Sequence, residues 1–212
     1  DWFGGSVSIS GDNIVIGAYN DNNISTNAGS VYVFTKPAAG WSNMTETAKL
    51  LPSDGAMNHE FGRSVGISGD NIVVGAIGDL VNGVQSGAAY VFTKPITGWT
   101  NTTETAKLLP SDGATNDAFG YSASISGNNI VVGAPGAYGN NFFESGAAYI
   151  FTKPLTGWVN STQTAKLISS DGANNDLFGV SVSISGDNIA VGASGDGDNG
   201  AKSGSAYIFT KP

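Results

Sequence analysis

The sequence predicts an all-β fold: a β-propeller of four-stranded antiparallel blades, with four repeats in this chain, either a closed small ring or part of a larger one. Three observations carry that expectation. Four short motifs recur at fixed spacing along the whole chain, the segments between them alternate with the period of a strand, and no stretch shows helical periodicity. Phe-Gly begins at Phe3, Phe61, Phe119 and Phe178, which are 58, 58 and 59 residues apart. Gly-Ala follows at Gly17, Gly75, Gly133 and Gly192, and Phe-Thr-Lys-Pro at Phe34, Phe92, Phe151 and Phe209. Gly-Trp closes at Trp41, Trp99 and Trp158. The repeats read as 1–58, 59–116, 117–175 and 176–212, the last without its fourth strand.

Each repeat supplies four strands. The first is Ser6–Ser10, where small polar and apolar residues alternate. The second, Asn13–Ala18, is an unbroken apolar run that suits a strand covered on both faces. The third, Ser30–Thr35, is rich in β-formers. The fourth, Thr47–Leu51, carries a lysine in each copy (Lys49, Lys107, Lys166), which reads as a charge blunting an exposed outer edge. Gly11-Asp12-Asn13 and its copies are tight-turn residues, and Pro37, Pro95 and Pro154 stop the third strand. One four-stranded sheet cannot bury both faces alone, so copies must pack against one another. A flat solenoid or a row of sandwiches is the rival to the propeller. Small residues on the first strand would let crowded inner strands approach.

Composition removes several functions. The chain has 212 residues, net charge −8 and no cysteine, so disulfides, thiolate metal sites and cysteine nucleophiles are excluded. An acidic chain with 9 basic residues disfavours nucleic acid and anionic membrane surfaces. One histidine, His59, argues against a triad or a histidine metal site, and reads as a surface variant of an Asp position. No apolar run is long enough to insert in a membrane. Both ends fall inside a repeat, as in a trimmed piece of a longer chain.

The stretches Phe119-Gly120-Tyr121-Ser122 and Ile130-Val131-Val132-Gly133-Ala134-Pro135 give the two halves of an FG-GAP repeat, and Trp99 through Gly120 resembles its bacterial form. The repeat is similar to the blades of integrin α-subunit propellers. That resemblance implies a non-enzymatic extracellular or cell-surface propeller for adhesion, surface assembly or ligand binding, with a carbohydrate-binding lectin as the alternative. Many integrin-type repeats hold calcium between the first two strands. Here that loop is only Ser-Gly-Asp-Asn, too short for six or more oxygens, and the site is not carried over.

In an up-and-down blade the loops after the second and fourth strands share one face. The loops after the second strand differ between copies, and rigidly held variable loops commonly carry function. Leu80, Val81, Tyr138, Phe142 and Phe143 are therefore the candidate ligand contacts, beside Asn140 and Asn141. The partner expected is a protein or glycan at the cell surface, and self-association would serve to complete a ring. Asp54, Asp112, Asp171, Asp117 and Asp176 read as turn caps, with calcium as the alternative. Ca²⁺ is the one cofactor considered, at Asp196 and Asp198 in a calcium-loop-like Asp-Gly-Asp-Asn-Gly that lacks the distal Glu. Trp41, Trp99 and Trp158 read as outer-corner packing residues or sugar platforms. Glycosylation sequons stand at Asn23, Asn43, Asn101 and Asn160.

Overall fold

The computed structural model describes residues 1–139, 143–198 and 200–211. The described residues form strands, turns and loops with no helix. The first sheet is β1 (Phe3–Ser10), β2 (Asn13–Ala18), β3 (Ser30–Thr35) and β4 (Ala48–Leu50), paired in that order. The second is β5 (Phe61–Ser68), β6 (Asn71–Ala76), β9 (Ala88–Thr93) and β10 (Ala106–Leu109), with a small hairpin, β7 (Leu80–Val81) and β8 (Val84–Gln85), between its second and third strands. The third is β11 (Ser122–Ser126), β12 (Asn129–Ala134), β13 (Ala147–Thr152) and β15 (Ala165–Leu167). The last is β16 (Phe178–Ser185), β17 (Asn188–Ala193) and β18 (Ser205–Thr210).

The turn residues do what their chemistry predicts. Ser10 pairs with Asn13, leaving Gly11 and Asp12 as a two-residue hairpin loop. Gly11 takes φ +56°, at the position where a II′ turn requires glycine.

Neighbouring sheets join through their inner strands. Ser6, Ser64 and Ser122 each donate a hydroxyl at 2.8 Å to the carbonyl of Gly62, Gly120 and Gly179 of the next repeat. The hydroxyl oxygens of Ser8 and Ser10 accept from the backbone N–H of Ile67 and Gly69. The serine periodicity thus bonds one inner strand to the next. Glycine in the Gly-Ala motif has the same cause. A Cβ on Gly75 would lie 1.9 Å from the Gly120 carbonyl oxygen, and one on Gly133 the same distance from that of Gly179. Backbone must approach backbone there, and only glycine leaves room.

The core lies in the junctions. Val15, Val31, Val33, Ala48 and Leu50 of the first repeat pack on Phe61, Ile72, Val74, Tyr90, Phe92 and Trp99 of the second. The equivalent set of the second repeat packs on Phe119, Ile130, Val132, Tyr149, Phe151 and Trp158 of the third. The Phe of each Phe-Gly stands edge-on to two rings of its own sheet, as Phe119 does to Tyr149 (5.4 Å) and Phe151 (6.0 Å). Its N–H bonds the loop before the preceding repeat's third strand, as Phe119 N donates to Ser86 O (2.9 Å).

One expectation is corrected. In the first two sheets the fourth strand is not a bare edge guarded by lysine. β14 (Ser161–Thr162), from the third repeat, pairs in parallel with β10 of the second, and Thr102 bridges Leu50 in the same sense. Asn101 and Asn160 add to this staple, their side-chain oxygens accepting the backbone N–H of Lys49 and Lys107 at 2.8 Å. Ring closure, which the sequence leaves open, is not seen among the described residues. Phe3 is 55% exposed where Phe61, Phe119 and Phe178 are fully buried, and Ile208 on the last sheet is 71% exposed.

Candidate functional site

The loops after the second and fourth strands do meet at one end of the row. Asn58 N donates to Thr26 O, Asn116 N to Gln85 O and Asn175 N to Phe143 O, at 2.9–3.0 Å. Tyr138 and Phe143 come together on this surface, both exposed, with ring centroids 6.0 Å apart. Leu80 and Val81 stand on the β7–β8 hairpin of the preceding repeat, facing Gln85 and Val84 across it. Phe142, Asn140 and Asn141 lie outside the described residues.

Beneath the loops runs a repeated ionic cluster. Asp54, expected to cap its own turn, instead reaches the next repeat. It accepts from Tyr90 Oη at 2.7 Å and Lys107 Nζ at 2.5 Å. The same tyrosine and lysine also bond Asp79, which is 1% exposed, the lysine at 2.8 Å. Asp112 holds Tyr149 (3.0 Å) and Lys166 (2.6 Å), and Asp171 holds Tyr207 (2.6 Å). In the first repeat Asp21 takes Ser30, Tyr32 and Lys49. Burial pushes the Asp54 and Asp112 carboxyls up, but the lysine and tyrosine hydrogen bonds outweigh it and hold both below the ordinary range. Burial and the facing carboxylates push Tyr90 well above its usual value. The lysine read as an edge guard is therefore the centre of a junction clamp.

The other acidic positions behave as caps. Asp117 and Asp176 accept from the N–H of Ala114 (2.8 Å) and Ala173 (2.5 Å). His59 occupies the same place and is buried like them, not a surface variant; its Nδ1 has no hydrogen-bond partner among the described residues. Asp196 aligns with Asp21 and Asp79. Its carboxylate accepts from Asp198 N (3.0 Å) and Tyr207 Oη (2.8 Å), which lowers its pKa. The Asp196 charge raises Asp198. Among the described residues no three His, Cys, Asp or Glu side chains gather as metal ligands.

Trp99 and Trp158 sit in the junction cores at 4% and 5% exposure, so neither ring has a face free for a sugar; of these three corner residues Trp41, at 44%, does. Asn23, Asn43, Asn101 and Asn160 are all exposed.

One row of residues escaped the sequence reading. The residue before each Phe-Gly takes a left-handed conformation: Trp2 (φ 52°), Glu60 (53°), Ala118 (55°) and Leu177 (59°). After the motif the register slips between Phe3 and Ser6, Phe61 and Ser64, and Phe178 and Ser181. These bulges re-aim Gly5, Arg63 and Val180, with Tyr121 at the matching place in the third repeat. Arg63 lies between two rings, 4.9 Å from the Tyr19 centroid and 4.8 Å from that of Tyr121. Trp2 stands 5.5 Å from Tyr19 on the far side. The signal available in sequence was the variety flanking an invariant motif.

Repeated sheets clamped side by side, with unlike residues at one end, define a β-propeller-like binding module. The chain belongs to the FG-GAP repeat family, whose model matches residues 1–34, 44–92, 102–151 and 161–209. It is similar in fold to the crystal structure of the computationally designed Ika8 protein, at 14% identity and a TM-score of 0.53 over 97% of this chain and 45% of that one. The chain thus spans less than half the length of that structure. A search of the curated proteins finds no match to it. No helix among the described residues is long and apolar enough to cross a membrane.

Proposed function

We propose that the chain is a non-enzymatic extracellular β-propeller module whose ligand, a protein or glycan at the cell surface, docks where the loops after the second and fourth strands meet. One observation carries this. Scaffold positions copied four times hold four unlike side chains at this end: Trp2, Glu60, Ala118 and Leu177 before the motif, and Gly5, Arg63, Tyr121 and Val180 after it. At the other end the Thr-Lys-Pro segments are nearly identical. Recognition of an asymmetric partner needs that asymmetry. The repeated carboxylates hold Tyr and Lys across junctions, a structural use that supports binding over hydrolysis. A lectin is the second reading, favoured by the exposed Trp2 ring beside Tyr19.

The test is a screen against arrayed glycans and extracellular protein domains, using the wild type, Y138A/F143A and a K36A/K94A control at the opposite end. A ligand lost only in Y138A/F143A supports the reading. A ligand lost only in the control places recognition elsewhere and ends it.

Self-association to complete a ring belongs to the same reading. The first sheet exposes Phe3, Val7 and Ile9, and the last exposes Ile208, at positions that internal junctions cover. Light scattering across concentration tests it: wild type should associate, and I208D should remain a monomer.

A further inference from the structure

Arg63 is held by aromatic rings rather than by a hydrogen bond or a close ion pair. Arg63 is the single arginine of a chain with net charge −8. Its guanidinium carbon lies over two rings, 4.9 Å from the Tyr19 centroid and 4.8 Å from that of Tyr121. Among the described residues its N–H donors make no hydrogen bond. The nearest carboxylate oxygen, Glu60 Oε2, stands 4.0 Å from Nη1, beyond hydrogen-bond range. The side chain is 26% exposed, so solvent reaches it.

The setting is built for this group. The bulge between Phe61 and Ser64 turns the side chain out of the strand's alternation. Tyr19 reaches Arg63 only because the matching residue of the first repeat is glycine: a Cβ on Gly5 would lie 2.7 Å from Tyr19 Cε1. Three repeats therefore contribute to one arrangement, two rings and a gap, around a planar cation. The two cation–π contacts hold the group in place, and its N–H donors, set in a rigid fork, remain free to act. That fork matches a carboxylate with two parallel N–H···O bonds, and a lysine in its place could not supply them. Trp2, next in the row, offers an exposed ring on which the body of a small ligand can rest.

We propose that Arg63, held between Tyr19 and Tyr121, is a receptor for a carboxylate on the ligand. The inference rests on the loop-end binding face proposed above and names the charge that face recognises. The carboxylate belongs either to an acidic sugar or to a peptide chain end, and the probes separate the two.

Because the chain has one arginine, its Nε–Hε resonance is a single assignable reporter in a ¹H–¹⁵N spectrum. D-Glucuronate and an N-acetylated dipeptide with a free carboxyl terminus are titrated separately. D-Glucose, the same dipeptide amidated, and sodium chloride at matched ionic strength are the controls. A saturable shift with either carboxylate and none with its neutral counterpart is expected, and the tighter of the two identifies the source. By calorimetry R63K should weaken that binding by about tenfold or more, since a point charge replaces the fork. E60Q, which removes the competing carboxylate 4.0 Å away, should tighten it. Unchanged melting temperatures in both variants establish that folding is intact. No saturable shift with either carboxylate, or the same shift with glucose or chloride, overturns the inference and leaves Arg63 a stacking residue. A ligand from the array screen that is lost in Y138A/F143A but binds R63K with wild-type affinity also overturns it, while the binding module stands. An Arg63 response without any array ligand sinks the broader reading instead.

Discussion

Phe119→Ala and Phe3→Ala remove the same residue from the same motif, and the junction model predicts different losses. Phe119 is fully buried, packed edge-on to Tyr149 and Phe151 and covered by Val73, Val91 and Leu108 of the preceding repeat. Truncating such a ring costs about 3–5 kcal/mol, with about 0.5–1.5 kcal/mol of aromatic pairing inside that figure. Phe3 keeps its edge contacts with Tyr32 and Phe34 but is 55% exposed, because no repeat lies over it. Less than half of the roughly 1.5–3 kcal/mol from full side-chain burial is then at stake, about 1 kcal/mol. For a chain of this size the expected drop in melting temperature is roughly 6–20 °C for Phe119→Ala and roughly 2–4 °C for Phe3→Ala. Urea unfolding followed by tryptophan fluorescence on dilute protein measures both free energies. Equal losses would refute the claim that neighbouring repeats, not the sheet itself, bury this ring.

The ionic clamp predicts a pH window. Asp21, Asp54 and Asp112 sit below their ordinary range, so their contribution is full above the unfolded value of about 3.9 and is lost as pH falls through the folded one. Burial lowers Lys49 and Lys107, but their carboxylate and tyrosine partners raise both overall, so their contribution is full below the unfolded value of about 10.4 and is lost as pH rises beyond. Melting temperature against pH should show a plateau between those limits. Lys107→Met, which strands the buried Asp79, should lower the plateau by about 3–5 kcal/mol; a loss near zero would show the pair to be dispensable. Asn101→Ala removes the acceptor of Lys49 N–H and should cost about 1 kcal/mol in urea, whereas Asn43→Ala, which makes no such bond, should cost almost nothing. Calcium or EDTA should leave the melting temperature unchanged, because Asp196 already accepts from Asp198 N and Tyr207 Oη; a rise with calcium would restore that loop as a metal site.

The strands were legible because period-two alternation and turn glycines are local signals, and four copies repeated each of them. The end where the loops after the second and fourth strands meet was legible too, since topology alone sorts loops to faces. The clamp was not. Asp54 resembles any turn carboxylate, and its partners Tyr90 and Lys107 lie 36 and 53 residues away. Trp99 was open to two readings for the same reason: burial at a junction depends on the sheet before it. Arg63 was not legible either. A pattern of copies passes over a residue that is not copied, and it is the flanks of the motif, not the motif, that hold four unlike side chains.

The parallel pairing of β14 with β10 bears on how such chains can be cut. The stretch that repeats in sequence and the body that holds together in space are offset, each finished only by a strip from the copy after it. Anyone excising one sheet must carry the strip across the boundary, much as lifting one roof tile means lifting the edge of the tile that overlaps it.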